Sequence, residues 1–222
     1  MKSNRLLLLG AALLLVAGAV LAQTAAQMPA DVNATSRARL PYPERKSLSE
    51  ADQKNYDLLP GRNRDTGNLG AGPLSFAAYN VGAAKALFDL HNAAIAGSLK
   101  PNVRELAILV ACRETNYNLE WNGHEPAAVR AGVAQKVIDI VKTRGALTGV
   151  SEADAMVIRF GRQMYTDKKV DSATFAKTVE FYGQKSAMDI VAVMNTYAVS
   201  GFYAIAVDEH SPAGRPSLER TK

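Results

Sequence analysis

The stretch at residues 117–124 reads YNLEWNGH and combines several side chains that could take part in chemistry. In a helix, Glu120 and His124 are four residues apart and share a face, with Tyr117 and Trp121 close by. Imidazole titrates near neutrality, and a carboxylate can orient it or relay its proton, so this pattern is typical of acid–base catalysis. The same spacing also occurs at ordinary helix edges, where such a pair contributes only ~0.2–0.5 kcal/mol. The surrounding sequence must decide between the two interpretations.

Two helices are predicted to position these side chains. Pro101 is suited to begin the first, which extends to about Arg113. The pair Thr115-Asn116 offers a cap for the second helix, which therefore carries the stretch in its first turns. Pro126 has no amide hydrogen and is expected to bend or restart the chain, and Gly132 is expected to end the segment.

Helical signals also cover the rest of the domain. The segment from Ser47 to Glu50 has the form of a capping box for a short helix that Pro60-Gly61 ends, and Asn80 can cap a helix that Gly97 closes. No segment shows the period-two alternation of a half-buried strand, so we predict an all-α fold. Further helices are expected to begin near Ala134, Ser151, Asp171 or Ser172, and Ser186.

The last predicted helix is apolar nearly all round between Ile190 and Val207. Such a helix is typical of a central or interface position. Because it carries more apolar surface than one small bundle should bury, we expect the protein to form a homo-oligomer.

The N-terminus has the features of a secretory signal peptide. Lys2 and Arg5 precede an unbroken apolar run from Leu6 to Leu21, and cleavage is expected after Ala22. The run is slightly short of the ~18–20 residues that span a bilayer. We therefore predict a secreted or periplasmic protein with no stable membrane span after cleavage.

Composition divides the remaining chain into three parts. Residues 23–39 are poor in apolar side chains and predict a flexible lead-in, residues 40–207 form the domain, and residues 208–222 form a polar tail. Inside the domain, the glycine-rich segment from Gly61 to Pro73 predicts a long loop, a feature that is often functional or mobile.

Charge and cysteine content exclude several classes of protein. The formal charge of +5 falls to +3 once residues 1–22, with two cations and no anion, are removed. No arginine-rich run with interleaved aromatics is present, so a nucleic-acid partner is not expected. The single cysteine, Cys112, excludes an intrachain disulfide framework and a cysteine-based zinc site. His91 and His210 lack sequence neighbours that would suggest a site.

Three segments of the two central helices carry a family pattern: RELAIL at residues 104–109, the spacing Tyr117-x-x-Glu120-Trp121-x-x-His124, and AGV at residues 131–133. Together they resemble the carboxymuconolactone decarboxylase family, which is related to the alkylhydroperoxidase D proteins. The order of helices from about Leu40 to Val207 is similar as well. The resemblance implies an alkylhydroperoxidase D-like helical bundle.

Members of the peroxidase-associated branch also have a glutamate on the first helix and a histidine on the second, but they carry a Cys-x-x-Cys pair. When the chain is aligned on Glu105 and His124, Tyr117 and Glu120 stand where those cysteines would be. Thiol-dependent peroxide reduction needs a thiolate and a resolving partner, and neither replacement can supply one. Cys112 has apolar flanks and is expected in the core. The resemblance therefore predicts that this chain is not a dithiol peroxidase.

The decarboxylase branch resembles this chain in its Glu-x-x-x-His spacing, and it works without metal or organic cofactor. The resemblance implies that His124 is the proton shuttle and that Glu105 and Glu120 orient it or relay its proton. No metal site is expected, because one histidine and two glutamates need not converge on an ion.

Four further residues are candidates for contacting the substrate. Arg104 or Arg113 could hold a carboxylate, although each could equally be a solvated arginine or part of a salt bridge. Tyr117 and Trp121 could wall the pocket, although both could equally be core aromatics.

Two functions remain open from the sequence. The first is an exported, cofactor-free enzyme that performs proton transfer or decarboxylation on a small carboxylated or lactone-type substrate. The second is a non-catalytic structural or small-ligand-binding helical oligomer of the same fold. The family acts on ring-cleavage products inside cells, so a signal peptide does not fit that particular substrate, and the sequence leaves the substrate unidentified.

Overall fold

The computed structural model describes residues 28–72, 74–212, 215 and 218. The chain falls into two units, residues 1–30 and 31–222. Of the first, only residues 28–30 are described, and they form no helix or strand. The predicted signal peptide at residues 1–22 lies outside the described residues.

The second unit is all-α, as predicted, and in the described residues it contains no strand beyond two isolated bridges. Short 3₁₀ turns lie at Arg45–Ser47 and Ala77–Tyr79, and a π-helical turn at Gln163–Asp167 follows the sixth helix. The α-helices are α1 (Glu50–Tyr56), α2 (Val81–Ile95), α3 (Pro101–Glu114), α4 (Asn118–Arg130), α5 (Gln135–Thr143), α6 (Glu152–Arg162) and α7 (Ser172–Ala206).

The centre of the domain is α3, which packs against α4, α5, α6 and α7. Every residue from Leu106 to Cys112 is buried, so this helix has no solvent-facing side over two turns. The close packing of α6 and α7 against α3 requires glycine at two positions. A Cβ at Gly161 of α6 would overlap Val110, and one at Gly201 of α7 would lie 2.7 Å from Thr115 Oγ1. Burial on all sides fixes the position of α3, and therefore of any functional side chain on it.

Several helix ends match the predicted capping residues. The side chain of Asn80 accepts from the Ala83 amide, that of Ser151 from the Asp154 amide, and that of Asp171 from the Thr174 amide. Each of these bonds satisfies one of the amides that a helix start leaves unpaired. Pro101 stands at the first turn of α3, also as predicted.

Other predicted helix ends were wrong. Ser49, not Ser47, caps α1. Residue Tyr117 takes the N-cap position of α4 and makes no side-chain cap bond, so the Thr115-Asn116 pair is not the cap. Pro126 lies inside α4, which continues to Arg130. Tertiary packing of α4 against α3 evidently tolerates the backbone hydrogen bond that proline cannot donate.

The break in the last long helix lies at Gly183 rather than at Ser186. Gly183 has φ 81° and ψ 161°, a conformation that glycine adopts without the strain of a side chain. Asp189, three residues after Ser186, accepts hydrogen bonds from the Ser98 amide (2.8 Å) and the Ser98 hydroxyl (2.7 Å). That carboxylate therefore ties α7 to the α2–α3 connection.

Helix α7 is the one helix in the described part of the chain that is long and apolar enough to cross a membrane by length and composition alone. Half of its most apolar stretch is buried inside the domain. Apolar side chains nevertheless remain exposed along it, at Met188, Val199, Phe202 and Ile205.

Residues 31–39 were predicted as a flexible lead-in, but they make specific contacts. The Arg39 amide donates to the Val207 carbonyl (2.7 Å), the Arg37 side chain contacts the Ser211 carbonyl, and Ala38 is fully buried. The prediction was wrong because these residues are held mainly by hydrogen bonds, which a low content of apolar side chains does not reveal.

The predicted polar tail also returns to the domain. Its Leu218 is buried in the main core, and the Leu218 amide donates to the side chain of Asn118 at the start of α4. His210 pairs with Asp208, with 3.1 Å between Nε2 and Oδ2. The tail therefore covers the end of the bundle where α4 begins.

Candidate active site

The centre of the site is a contact between α3 and α4. Glu105 projects from the second turn of α3, and Glu120 and His124 lie one turn apart on α4, as predicted. His124 Nδ1 lies 2.8 Å from Glu105 Oε2, and His124 Nε2 lies 3.3 Å from Glu120 Oε2. The imidazole therefore has a carboxylate at each ring nitrogen.

This arrangement decides the charge of the histidine. Burial alone lowers the pKa of His124, but the hydrogen bonds and negative charges of Glu105 and Glu120 outweigh it and raise the pKa to about 9. The ring is an imidazolium at neutral pH. The sequence had suggested a group that titrates near neutrality, and the second carboxylate is the reason that it does not.

The three side chains are largely but not completely enclosed. Their side-chain exposures are 11% for Glu105, 15% for Glu120 and 21% for His124. A charge pair that only stabilises the core needs no access to solvent, whereas a proton donor must be reached by the small molecule that it protonates. The cluster therefore combines a low-dielectric setting with an opening to solvent.

Two aromatic rings that the sequence did not point to border the cluster. Tyr197 of α7 packs edge-on against His124 with 5.0 Å between ring centroids. The same tyrosine ring lies 5.8 Å from the ring of His91, on α2. His91 was not predicted as a site residue, because its neighbours come from α4 and α7, which are distant in sequence.

The structure separates the two candidate arginines. Arg104 is adjacent to the cluster, with 3.8 Å between its Nε and Glu105 Oε1. Arg113 lies eight residues beyond Glu105 on α3, about 12 Å along the helix axis. It is only 3% exposed and sits beside Glu114, whose pKa is raised by burial against the opposing charges of nearby arginines, Arg113 among them. Only Arg104 is placed to contact a substrate at His124.

The two candidate aromatic residues of α4 both face inward. Trp121 is 1% exposed, donates from Nε1 to Glu125 Oε2 (3.0 Å) and lies under the Lys142 ammonium of α5. It is a core residue of the α4–α5 contact, so the structure gives no support for a role in walling the site. Tyr117 is also buried, and burial followed by the charge of Glu120 raises the pKa of its hydroxyl.

A pocket of about 180 Å³ adjoins Tyr117, and residues of the tail form part of its wall. It is lined by Tyr117 and Leu119 of α4, by Ile205 of α7 and by Glu209 of the tail. Burial, and then the negative charge of Glu120, raises the pKa of Glu209 to about 7. Sequence reasoning missed Glu209 because it follows the last helix in a segment that was predicted to be solvated.

The cysteine cannot replace the missing thiol pair. Cys112 is fully buried in α3. Burial first, and then the charges of Glu120 and Glu105, raise the pKa of its thiol well above the ordinary value. A nucleophilic or redox-active thiol needs the opposite shift and access to solvent.

In the described part of the chain, no group of three or more histidine, cysteine, aspartate or glutamate side chains is placed to hold a metal ion. Glu105 and Glu120 each contact a different ring nitrogen of His124, so the three side chains do not converge on a shared point.

By sequence, the chain matches no family model and no curated protein. By structure, it is similar to an alkylhydroperoxidase AhpD core, an uncharacterized peroxidase-related protein from Ralstonia eutropha JMP134, at 16% identity and a TM-score of 0.56, covering 80% of this chain and 93% of the other. An uncharacterized peroxidase-related protein from Silicibacter sp. TM1040 is similar at 15% identity and a TM-score of 0.59, with coverages of 83% and 95%.

The debrominase Bmp8, solved in complex with 2,3,4-tribromopyrrole, is similar at 14% identity and a TM-score of 0.54, covering 75% of this chain and 90% of the other. At these identities the comparisons establish the architecture. The chain has the alkylhydroperoxidase D-like helical fold that the resemblance implied.

Proposed function

We propose that this protein is an exported, cofactor-free enzyme that transfers a proton to a small unsaturated substrate of the carboxylated or lactone type, by decarboxylation or by a shift of a double bond. The observation that carries the proposal is the imidazole of His124, held between Glu105 and Glu120 in a site that remains partly open, where its raised pKa of about 9 favours the protonated ring. Such a group is a pre-positioned acid.

The two ring nitrogens have different roles in this proposal. Nδ1 donates to Glu105 at 2.8 Å, which fixes the orientation of the ring. Nε2 has the longer contact, 3.3 Å to Glu120, and is the atom that delivers its proton. A substrate that reaches Nε2 must displace or share the Glu120 contact. In this proposal Glu120 relays a proton from solvent back to His124 or takes up a released proton.

In a decarboxylation, the bond between the substrate carbon and its carboxylate breaks, and its electron pair enters the conjugated lactone as a dienolate. Carbon dioxide leaves, and the Nε2–H of His124 protonates the dienolate carbon. The neutral imidazole then regains a proton from solvent. The imidazolium stabilises the dienolate charge before the proton moves, which is the larger part of such catalysis.

The charges of the site favour a substrate with at most one negative group. Glu105 and Glu120 are balanced by His124 and Arg104, so the cluster has no large cationic excess. A single carboxylate could pair with Arg104. The bound tribromopyrrole of Bmp8 supports the idea that this fold can accommodate a small unsaturated ring.

Peroxide reduction by a dithiol is not part of the proposal. The purified protein should show no peroxidase activity with a thiol reductant, because Cys112 is buried and has no partner thiol in the sequence. Robust peroxide turnover that disappears in Cys112→Ser would contradict this expectation.

Assembly into a homo-oligomer is also proposed, supported by the exposed apolar side chains of α7 at Val199, Phe202 and Ile205. Light scattering of the purified protein should give a mass of at least two chains. A monomer mass would contradict it.

The test of the proposed function is a screen of unsaturated lactones and lactone acids, followed by NMR for loss of carbon dioxide or movement of a double bond. The wild-type protein should turn over at least one compound, and His124→Gln should not at a comparable rate. Binding without turnover of any compound would favour the small-ligand-binding alternative.

A further inference from the structure

Three helices bring a second histidine to the candidate active site. His91 of α2 and His124 of α4 both pack against the Tyr197 ring of α7, with centroid distances of 5.8 Å and 5.0 Å. His91 is partly exposed, and no hydrogen bond to its ring nitrogens is found among the described residues. Its imidazole is therefore available to a small molecule that lies against Tyr197.

The two histidines have opposite electrostatic surroundings. Burial is the main influence on His91 and lowers its pKa, the charge of Glu120 opposes this, and the charge of His124 adds to it. The two carboxylates around His124 raise its pKa to about 9. At neutral pH, one ring accepts a proton and the other donates one. Environments that separate two titratable groups in this way are typical of an acid–base pair.

We propose that His91 is the proton acceptor of this active site and acts on a substrate that lies along the edge of Tyr197, with His124 as the donor. The inference rests on the proposed function and adds a second reacting group to it. It also narrows the substrate to a compound that loses a proton at one carbon and gains one at another, as in the isomerisation of an unsaturated lactone.

The proton balance of this step is complete. The neutral imidazole of His91 removes the proton α to the lactone carbonyl, and the C–H electron pair enters a dienolate. The Nε2–H of His124 then forms a new C–H bond at the γ carbon, which moves the double bond into conjugation. The step leaves His91 protonated and His124 neutral. Glu120, whose charge acts on both rings, and solvent can return the proton.

Binding is the first arm of the test. The probe is tetronic acid, a small lactone whose enolate resembles the dienolate, added to protein with isotope-labelled histidines. The chain has three histidines, so each signal is assigned with a His→Gln variant. Tetronate should shift the signals of His91 and His124 with one dissociation constant and leave that of His210 unchanged. His210 pairs with Asp208 in the tail and is the matched control.

Turnover is the second arm, with α-angelica lactone as the probe and its isomerisation followed by NMR. His91→Gln should lower turnover on the order of 10²–10⁴-fold. It should also remove the fall of activity on the acid side of the pH profile while keeping the alkaline fall near pH 9. His210→Gln should behave as wild type.

The outcomes separate the two proposals. If tetronate shifts His124 alone, or if His91→Gln isomerises the lactone at the wild-type rate, His91 is not the acceptor and the proposed role of His124 stands. If tetronate shifts neither histidine and the wild-type protein does not isomerise the lactone, the proposed function fails for this class of substrate and the inference fails with it.

Discussion

Helix α3 carries a buried charged cluster at each end, and the two clusters differ in composition. Near its start, Glu105 joins Glu120 around the imidazole of His124. At its end, Glu114 Oε2 lies 2.8 Å from Arg144 Nη2, and the positive charge of Arg162 also acts on this carboxylate. The first cluster has two carboxylates for one titratable base, whereas the second has one carboxylate among guanidinium groups.

The second cluster is suited to holding helices together. Arg162 donates to the Gly145 carbonyl (2.9 Å) and the Ile140 carbonyl (3.1 Å), which lie at the end of α5. Arg144 adopts the left-handed conformation, φ 53°, that ends that helix. A guanidinium does not lose its proton at working pH, so the basic groups of this cluster can bind but cannot exchange protons. The first cluster is built on imidazole, which can do both.

The largest effect on turnover is expected at His124. Replacement by Gln keeps the size and hydrogen-bonding capacity of the side chain but removes the proton that it delivers. Turnover of any substrate found should fall on the order of 10²–10⁴-fold while the domain stays folded. Steady-state kinetics and circular dichroism of the variant measure both, and near-wild-type turnover would assign both clusters to structure.

Stability should depend on pH through the same residue. The folded pKa of His124, about 9, lies above the ordinary 6.5, so the imidazolium stabilises the folded state. This contribution is complete below pH 6.5, declines as pH rises and is lost above about 9. Its size is at most about 3.4 kcal/mol, from a rise of about 2.5 pKa units at 1.36 kcal/mol per unit.

Urea titrations at pH 6 and pH 9.5 measure this loss. The fall in the free energy of unfolding between the two pH values should be smaller in His124→Gln than in wild type. Equal falls in the two proteins would mean that His124 has an ordinary pKa.

The opposite result is expected at the other end of α3. Glu114→Gln removes the charge that faces Arg144 and Arg162 and should lower the free energy of unfolding by about 1–3 kcal/mol. The lower part of the range is favoured, because the Arg144 side chain is 31% exposed. Turnover by the folded variant should be unchanged. A loss of activity in folded Glu114→Gln would show that the two ends of α3 are functionally coupled.

A smaller effect is expected at Glu105. Glu105→Gln keeps a hydrogen-bond acceptor for Nδ1 but removes a charge, so His124 stays oriented and becomes a stronger acid with a lower pKa. Turnover should fall by about 10–100-fold, as is common when a supporting partner is lost. The alkaline limb of the pH profile should move to lower pH. A loss as large as that of His124→Gln would indicate that Glu105 itself carries the proton.

The sequence predicted the parts of this account that depend on short-range patterns. Cap residues such as Asn80 and Ser151 satisfy amides only three residues away, and the spacing of Glu120 and His124 places them on one face of α4. The Glu105–His124 contact came from the family resemblance. The two predictions about the site concern residues on α3 and α4, which are also neighbours in sequence.

Contacts between distant segments could not be predicted in this way. His91 and Tyr197 meet across more than a hundred residues, and nothing near His91 in sequence indicates the contact. Glu209 comes to the α4 end of the site because backbone hydrogen bonds position the tail. The reversal of role for His124, from a group that titrates near neutrality to a cation, required both carboxylates to be placed in three dimensions.

The most direct test of the central claim is an NMR titration of the His124 imidazole in the purified wild-type protein, with the signal assigned by its absence in His124→Gln. We predict that both ring nitrogens remain protonated at pH 7.5 and that the signal titrates at about pH 9. A midpoint near the ordinary 6.5, with a neutral ring at pH 7.5, would contradict the claim that Glu105 and Glu120 hold His124 as the acid of this site.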